Sequence, residues 1–202
     1  MKKINIGILI FDQVEVLDFA GPYEVFSSVR LSKRKYSNLS SFESPFNLYT
    51  ISQSKNLIMA SGGLKIKSDY TLLNSPKPNI LLIPGGIGTR KLLNNTEILD
   101  WIYNHQHIDL LCSVCTGSIL LAKAGLLKNK KVTTHWGAFS LLKKISPSSI
   151  IIKNERFVRD TYLTSAGVSA GIDMALEIIT QLFGKDISDN TANYMEYIIN
   201  DK

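Results

Sequence analysis

Along this chain, short runs of Ile, Leu and Val that are apolar at consecutive positions alternate with longer segments whose apolar residues recur every three or four positions. The first pattern is that of strands covered on both faces, and the second is that of helices with one buried side. Strands are predicted at Ile4–Phe11, Phe46–Ser52, Ile80–Ile83, Ile108–Ser113, Val132–Thr134 and Tyr162–Ser165. Helices are predicted at Pro22–Arg30, Glu97–His105, Thr116–Ala124, Ser169–Phe183 and Asp189–Ile199, with proline suited to a first turn and Gly184 to a stop. Leu57–Lys67, broken at Ser61-Gly62-Gly63, and Ile150–Asp160, broken around Asn154 and Glu155, read as hairpins decorating the sheet. Ser32–Ser44 is polar and aperiodic, a surface loop too short to divide domains. The expectation is one α/β domain with a mostly parallel sheet sandwiched between helices.

Charge and composition change this picture little. The formal net charge of +6 invites a nucleic-acid partner, but the lysine pairs Lys2-Lys3, Lys130-Lys131 and Lys143-Lys144 are spread along the chain without interleaved aromatics. A solvated basic surface, and no nucleic acid, is the expectation. The start, MKK followed by INIGILIF, has the basic and apolar parts of an export signal. The apolar run ends at Asp12 with no cleavage pattern, so it reads as a first strand. No run approaches the roughly 20 apolar residues that span a bilayer, and two cysteines make no disulfide framework. A soluble protein in a reducing cytoplasm is expected.

Those two cysteines, in LLCSVCTGS, allow three chemistries. A redox CxxC pair needs both thiols at the helix start, whereas Cys112 lies inside an apolar strand and reads as a buried small hydrophobe. A zinc site needs about four ligands. His105 and His107 lie upstream, but the intervening strand carries them away from Cys115. The third reading sets Cys115 alone on a sharp strand-to-helix turn, where the helix amino terminus would favour a thiolate and Gly117 would allow close packing. A cysteine with a purely structural place at a helix start remains an alternative.

VCTGSILLAKAGLL followed by KKVTTHW, with VLDFAGPYEVF near the start, LLIPGGIG in the middle and YLTSAGVSAGIDMALEII near the end, resembles the ThiJ/PfpI superfamily. The likeness runs from about Ile4 to Gly184, with the landmarks in family order, and implies the class I glutamine amidotransferase-like, flavodoxin-like fold. It is greatest to isonitrile hydratases and to the sensor domains of AraC-type regulators, which have threonine after the nucleophile, as in Cys115-Thr116. The proteases and glyoxalases of the superfamily have histidine there instead.

The resemblance implies a nucleophilic Cys115 with Asp18, in the LD-x-x-GP motif, as its proton partner. From the residues alone, Asp18 reads as a helix cap. Thr116 would orient the carboxylate or a water, and the amides of Gly85 and Gly86 would form a donor array toward substrate. His135 in TTHW would lie near the pocket, shaping it or taking part in the chemistry. Glu24 reads as solvent-facing and Glu15 as part of a surface loop. The activity implied is hydration of an isocyanide to an N-substituted formamide, without metal or cofactor, on a small-molecule substrate and in a homodimer. An oxidation sensor, a ligand-binding module, and hydrolysis of small carbonyl adducts are the competing functions. The chain ends about twenty residues after its penultimate helix, so no helix-turn-helix unit and no direct DNA binding are expected.

Overall fold

The structure is a computed structural model that describes residues 2–31 and 44–199. The loop expected at Ser32–Ser44 therefore lies, apart from Ser44, outside the described residues.

The strands are β1 (Ile4–Leu9), β2 (Phe46–Ser52), β3 (Ile58–Met59), β4 (Lys65–Ile66), β5 (Tyr70–Thr71), β6 (Ile80–Ile83), β7 (Leu110–Val114), β8 (Lys131–Val132), β9 (Ile150–Ile151), β10 (Phe157–Arg159) and β11 (Leu163–Ser165). The helices are α1 (Val16–Ser28), α2 (Thr89–Leu92), α3 (Thr96–Asn104), α4 (Gly117–Lys123), α5 (Phe139–Ile145), α6 (Ala170–Phe183) and α7 (Lys185–Tyr194). Seven strands form one sheet in the order β10-β11-β7-β6-β1-β2-β5, parallel except for β10 at the edge. Its centre registers Ile8 against Leu82 and Leu82 against Cys112. Helices α1, α6 and α7 pack together as one layer, and α2, α3, α4 and α5 gather around α4 as the other.

Burial on both faces explains the consecutive apolar residues of the inner strands. Ile6, Ile8, Leu81, Leu82, Ile83 and Leu111 have almost no exposed surface. Each such side chain contributes about 1.5–3 kcal/mol over its exposed state. Cys112 is fully buried in β7 among them, as the strand pattern predicts. Among the described residues no helix is long and apolar enough to cross a membrane.

Four local expectations are corrected. Helix α1 begins at Val16, six residues before Pro22, so the proline is interior, and Asp18 lies in the first turn. Having no N–H, Pro22 leaves the Asp18 carbonyl without its helical partner. The segment Ile150–Asp160 is no hairpin: β9 pairs in parallel with β8 in a separate two-stranded sheet, and β10 pairs with β11. Only Lys131–Val132 of the stretch expected at Val132–Thr134 is paired. The last helix begins at Lys185 instead of Asp189. The hairpin at Leu57–Lys67 forms as β3 and β4.

Two close approaches bring the site together. At the crossing of α1 and α6, a Cβ on Gly21 would stand 3.1 Å from Ile172, and one on Gly171 would stand 3.1 Å from Val114 and 3.2 Å from Pro22. This crossing lowers the first turns of α1 toward the carboxyl end of β7. Gly117 packs its Cα on the Ile83 carbonyl, where a Cβ would come within 2.0 Å of the oxygen. Gly117→Ala is therefore expected to cost about 3 kcal/mol or more, because the obstacle is backbone. Urea denaturation should show a lower midpoint with an unchanged slope.

Candidate active site

Cys115 stands between β7 and α4 with φ of 56°, in the left-handed region that a non-glycine residue occupies only when its surroundings hold it there. The Cys115 N–H donates to the carbonyls of Ser165 and Ala166 at 3.1 and 3.3 Å. Its own carbonyl accepts from the hydroxyls of Thr134 at 2.8 Å and Ser118 at 3.1 Å. The bend is thus secured from the end of β11, from the segment after β8 and from α4 itself. Its sulfur is nearly enclosed, since the residue is 5% exposed.

Asp18 arrives from α1 and is 0% exposed. Its Oδ2 accepts the Gly85 N–H at 3.0 Å. A Cβ on Gly85 would lie 2.8 Å from that oxygen and 2.6 Å from the Thr116 hydroxyl, so the missing side chain is what admits both groups. Burial raises the Asp18 carboxyl to about 7, against the lowering effects of Gly85 and Cys115, and the charge of Glu15 adds to the rise. The Cys115 thiol lies close enough to act on the carboxyl, and Oδ1 is buried with no other hydrogen-bond partner among the described residues.

The same closeness acts on Cys115. Its thiol is pushed up to about 12, by burial first and by the charge of Asp18 second, while the Thr116 amide and hydroxyl pull the other way. Burial and the neighbouring carboxylate thus act against the thiolate that a helix terminus would favour at the start of the seven-residue α4. Burial shifts thiol and carboxyl alike toward their neutral forms.

His135 precedes the 3-10 turn at Trp136–Ala138, and its Nδ1 accepts the Gly137 N–H at 3.2 Å. A neutral ring therefore carries its hydrogen on Nε2. A Cβ on Gly167 would come within 2.6 Å of His135 Cδ2 and 2.8 Å of the Cys115 sulfur, so imidazole and thiol close on Gly167 together with no room for a methyl group.

Cys115, Asp18, Thr116, Gly85, Gly86 and His135 thus come to one place. Three of them differ in detail from expectation. The Gly85 and Gly86 amides are already engaged, with Asp18 and with the Thr116 hydroxyl at 3.0 Å, so neither holds a free hydrogen for substrate. The Thr116 hydroxyl is shared with Gly86 O and Thr89 and makes no bond to Asp18. Glu24 is exposed and accepts from the Ser28 hydroxyl at 3.1 Å, away from the sulfur. His105 is tied to its own helix by a 2.8 Å contact of Nδ1 with Trp101 O. Three participants carry no local sequence mark: Thr134 and Gly167, and Glu15, which stands at the N-cap of α1.

With this geometry established, comparison with known proteins places the chain. The DJ-1/PfpI family matches residues 4–181. The chain belongs to the DJ-1/PfpI family. Among relatives in the DJ-1/PfpI family, the isonitrile hydratase of Pseudomonas putida is 33% identical over 196 residues, 96% of this chain and 78% of that protein. An HTH-type transcriptional regulator of Pseudomonas aeruginosa is 25% identical over 184 residues, covering 91% of this chain but 48% of the regulator, so the chain spans about half of that protein. The crystal structure of a ThiJ/PfpI family protein from Pseudomonas syringae superposes with a TM-score of 0.85 at 27% identity, over 100% of this chain and 78% of that one.

The raised Asp18 carboxyl has a consequence for stability. A carboxyl whose folded pKa lies above its unfolded value favours the folded state fully in acid, and that contribution is lost as pH rises through about 7. Asp18→Asn removes this titration. The variant is expected to melt higher than the parent above pH 7, by on the order of 3 kcal/mol, with the difference shrinking toward pH 4. Thermal melts from pH 4 to pH 9 measure it.

Proposed function

We propose that this DJ-1/PfpI protein hydrates isocyanides, R–N≡C, to N-substituted formamides through a covalent thioimidate on Cys115. The observation that carries the reading is an enclosed thiol and carboxyl, Cys115 5% and Asp18 0% exposed and each acting on the other, with burial raising both. A preformed thiolate is not required. The carboxylate of Asp18 takes the thiol proton as sulfur bonds to the terminal carbon, and passes that proton to the same carbon, giving R–N=CH–S–Cys115. A water then gives a proton to Asp18 Oδ1 as its oxygen adds to this carbon, and the nitrogen is protonated from the Asp18 carboxyl. Asp18 next takes the hydroxyl proton as the C=O bond forms and returns it to the departing sulfur. One water is consumed, and both side chains return to their starting states.

Shape also supports the reading. A linear triatomic head suits a sulfur that is 5% exposed, whereas a branched carbonyl adduct is broader. The similarity to isonitrile hydratase points to the same substrate class. Oxidation sensing fits less well, because a thiol pushed up to about 12 offers little thiolate to peroxide. A ligand-binding role without turnover is the second reading, favoured by the 25% identity to a transcriptional regulator. Activity as a homodimer in a reducing compartment belongs to the same proposal. Exposed Leu17 and Tyr23 on α1 supply an apolar surface for a second copy, and sedimentation of the purified protein tests it.

Cys115→Ala is expected to abolish formamide formation from para-nitrophenyl isocyanide, and Asp18→Asn to lower kcat by about 100-fold or more. Undiminished turnover by Cys115→Ala would refute the covalent route. Because Asp18 acts as a base, kcat/KM should rise with pH through about 7. Glu15→Gln removes a charge that raises Asp18, so its rise should fall at lower pH than in the parent. A rise that stays in place excludes Glu15 from setting the working range.

A further inference from the structure

The proposed chemistry leaves the aromatic pair beside the sulfur unused. His135 presents Cδ2 to the wall at Gly167 and Cys115, and the Trp136 ring lies against the imidazole with centroids 5.1 Å apart and planes inclined by 35°. The bond from Gly137 N–H to Nδ1 fixes the plane of the histidine. Trp136 itself is 77% exposed, a large apolar face kept in solvent next to an enclosed nucleophile. The two rings thus form a shelf that begins beside the thiol, where His135 Cδ2 and the sulfur both close on Gly167, and ends at the exposed indole.

Resting on the isocyanide reading, we propose that the protein selects isocyanides whose nitrogen bears a flat aromatic group, with Trp136 as a specificity-determining residue. The C≡N–R axis is linear, so a terminal carbon seated at sulfur sends the nitrogen substituent straight out of the narrow part of the site. A planar ring there meets the imidazole edge and then the indole face, and gains stacking and apolar contact that a methyl group cannot make. Trp136 touches none of the groups that exchange protons, so its contribution goes to holding the substituent.

The experiment compares kcat/KM for phenyl and methyl isocyanide in the parent, Trp136→Phe and Trp136→Ala. The parent should prefer the phenyl substrate. Trp136→Ala should lose about tenfold on phenyl isocyanide and less than about twofold on methyl isocyanide, while Trp136→Phe, still offering a ring, keeps most of the phenyl activity. Equal losses on both substrates, or no loss on phenyl isocyanide, overturn the role of Trp136 while leaving hydration intact. Should the parent hydrate neither substrate, the reaction fails, and binding decides the shelf separately. Quenching of indole fluorescence by N-phenylformamide but not N-methylformamide, absent in Trp136→Phe, upholds aromatic recognition; absence of quenching in the parent removes it.

Discussion

A carboxyl group without exposed surface stays in a folded protein only where other contacts offset its lost hydration, and Asp18 receives one amide hydrogen bond for its two oxygens. The rest of the site is arranged around that shortfall. Helix α1 must descend on the end of β7, which requires the glycine contacts with α6. The chain after β7 must turn sharply, and Cys115 takes the left-handed conformation under four backbone hydrogen bonds. Gly85 must lack a side chain, since any Cβ would strike Asp18 and Thr116 together. Burial then raises both the carboxyl and the thiol, and each pushes the other further from its ordinary range or back toward it.

This arrangement separates two ways of using a cysteine. A site that stabilises a thiolate at rest needs a cation, a metal or a long helix terminus aimed at sulfur. Here sulfur faces a carboxyl group, and in the proposed reaction nucleophile and base are each idle until a substrate arrives to accept both the sulfur and its proton. An isocyanide carbon can accept both, because it bonds sulfur and hydrogen at one atom. The unsatisfied carboxyl oxygen is the kind of stored instability that active sites keep at a cost to the fold.

Much of this was legible in the order of residues. The inner strands announce themselves because burial on both faces demands consecutive apolar side chains, as in Ile80–Ile83. The two-residue strand β5 leaves no such mark; β8 and β9 fall within stretches read as strand and hairpin, but their pairing with each other depends on distant partners, and α2 and α5 are too short to establish a period. Pro22 suggested a helix start because proline is favoured there. Packing against α6 instead carries α1 back to Val16. That Cys115 and Asp18 meet was implied by the family resemblance, whereas the residues alone read Asp18 as a helix cap. Thr134 and Gly167 were not assigned, because only tertiary contact brings them to the elbow. The direction of the thiol's shift was hidden for a related reason: depth of burial belongs to the whole fold, while a turn before a helix is a local feature.

The glycines at the site have an evolutionary corollary. Around Cys115 and Asp18, Gly85, Gly117 and Gly167 each sit where any larger residue would collide with backbone, with Asp18 or with the sulfur itself. Mutation can therefore explore little at the bottom of the cleft, and lineages sharing this scaffold can diversify what they accept mainly through the side chains at its lip.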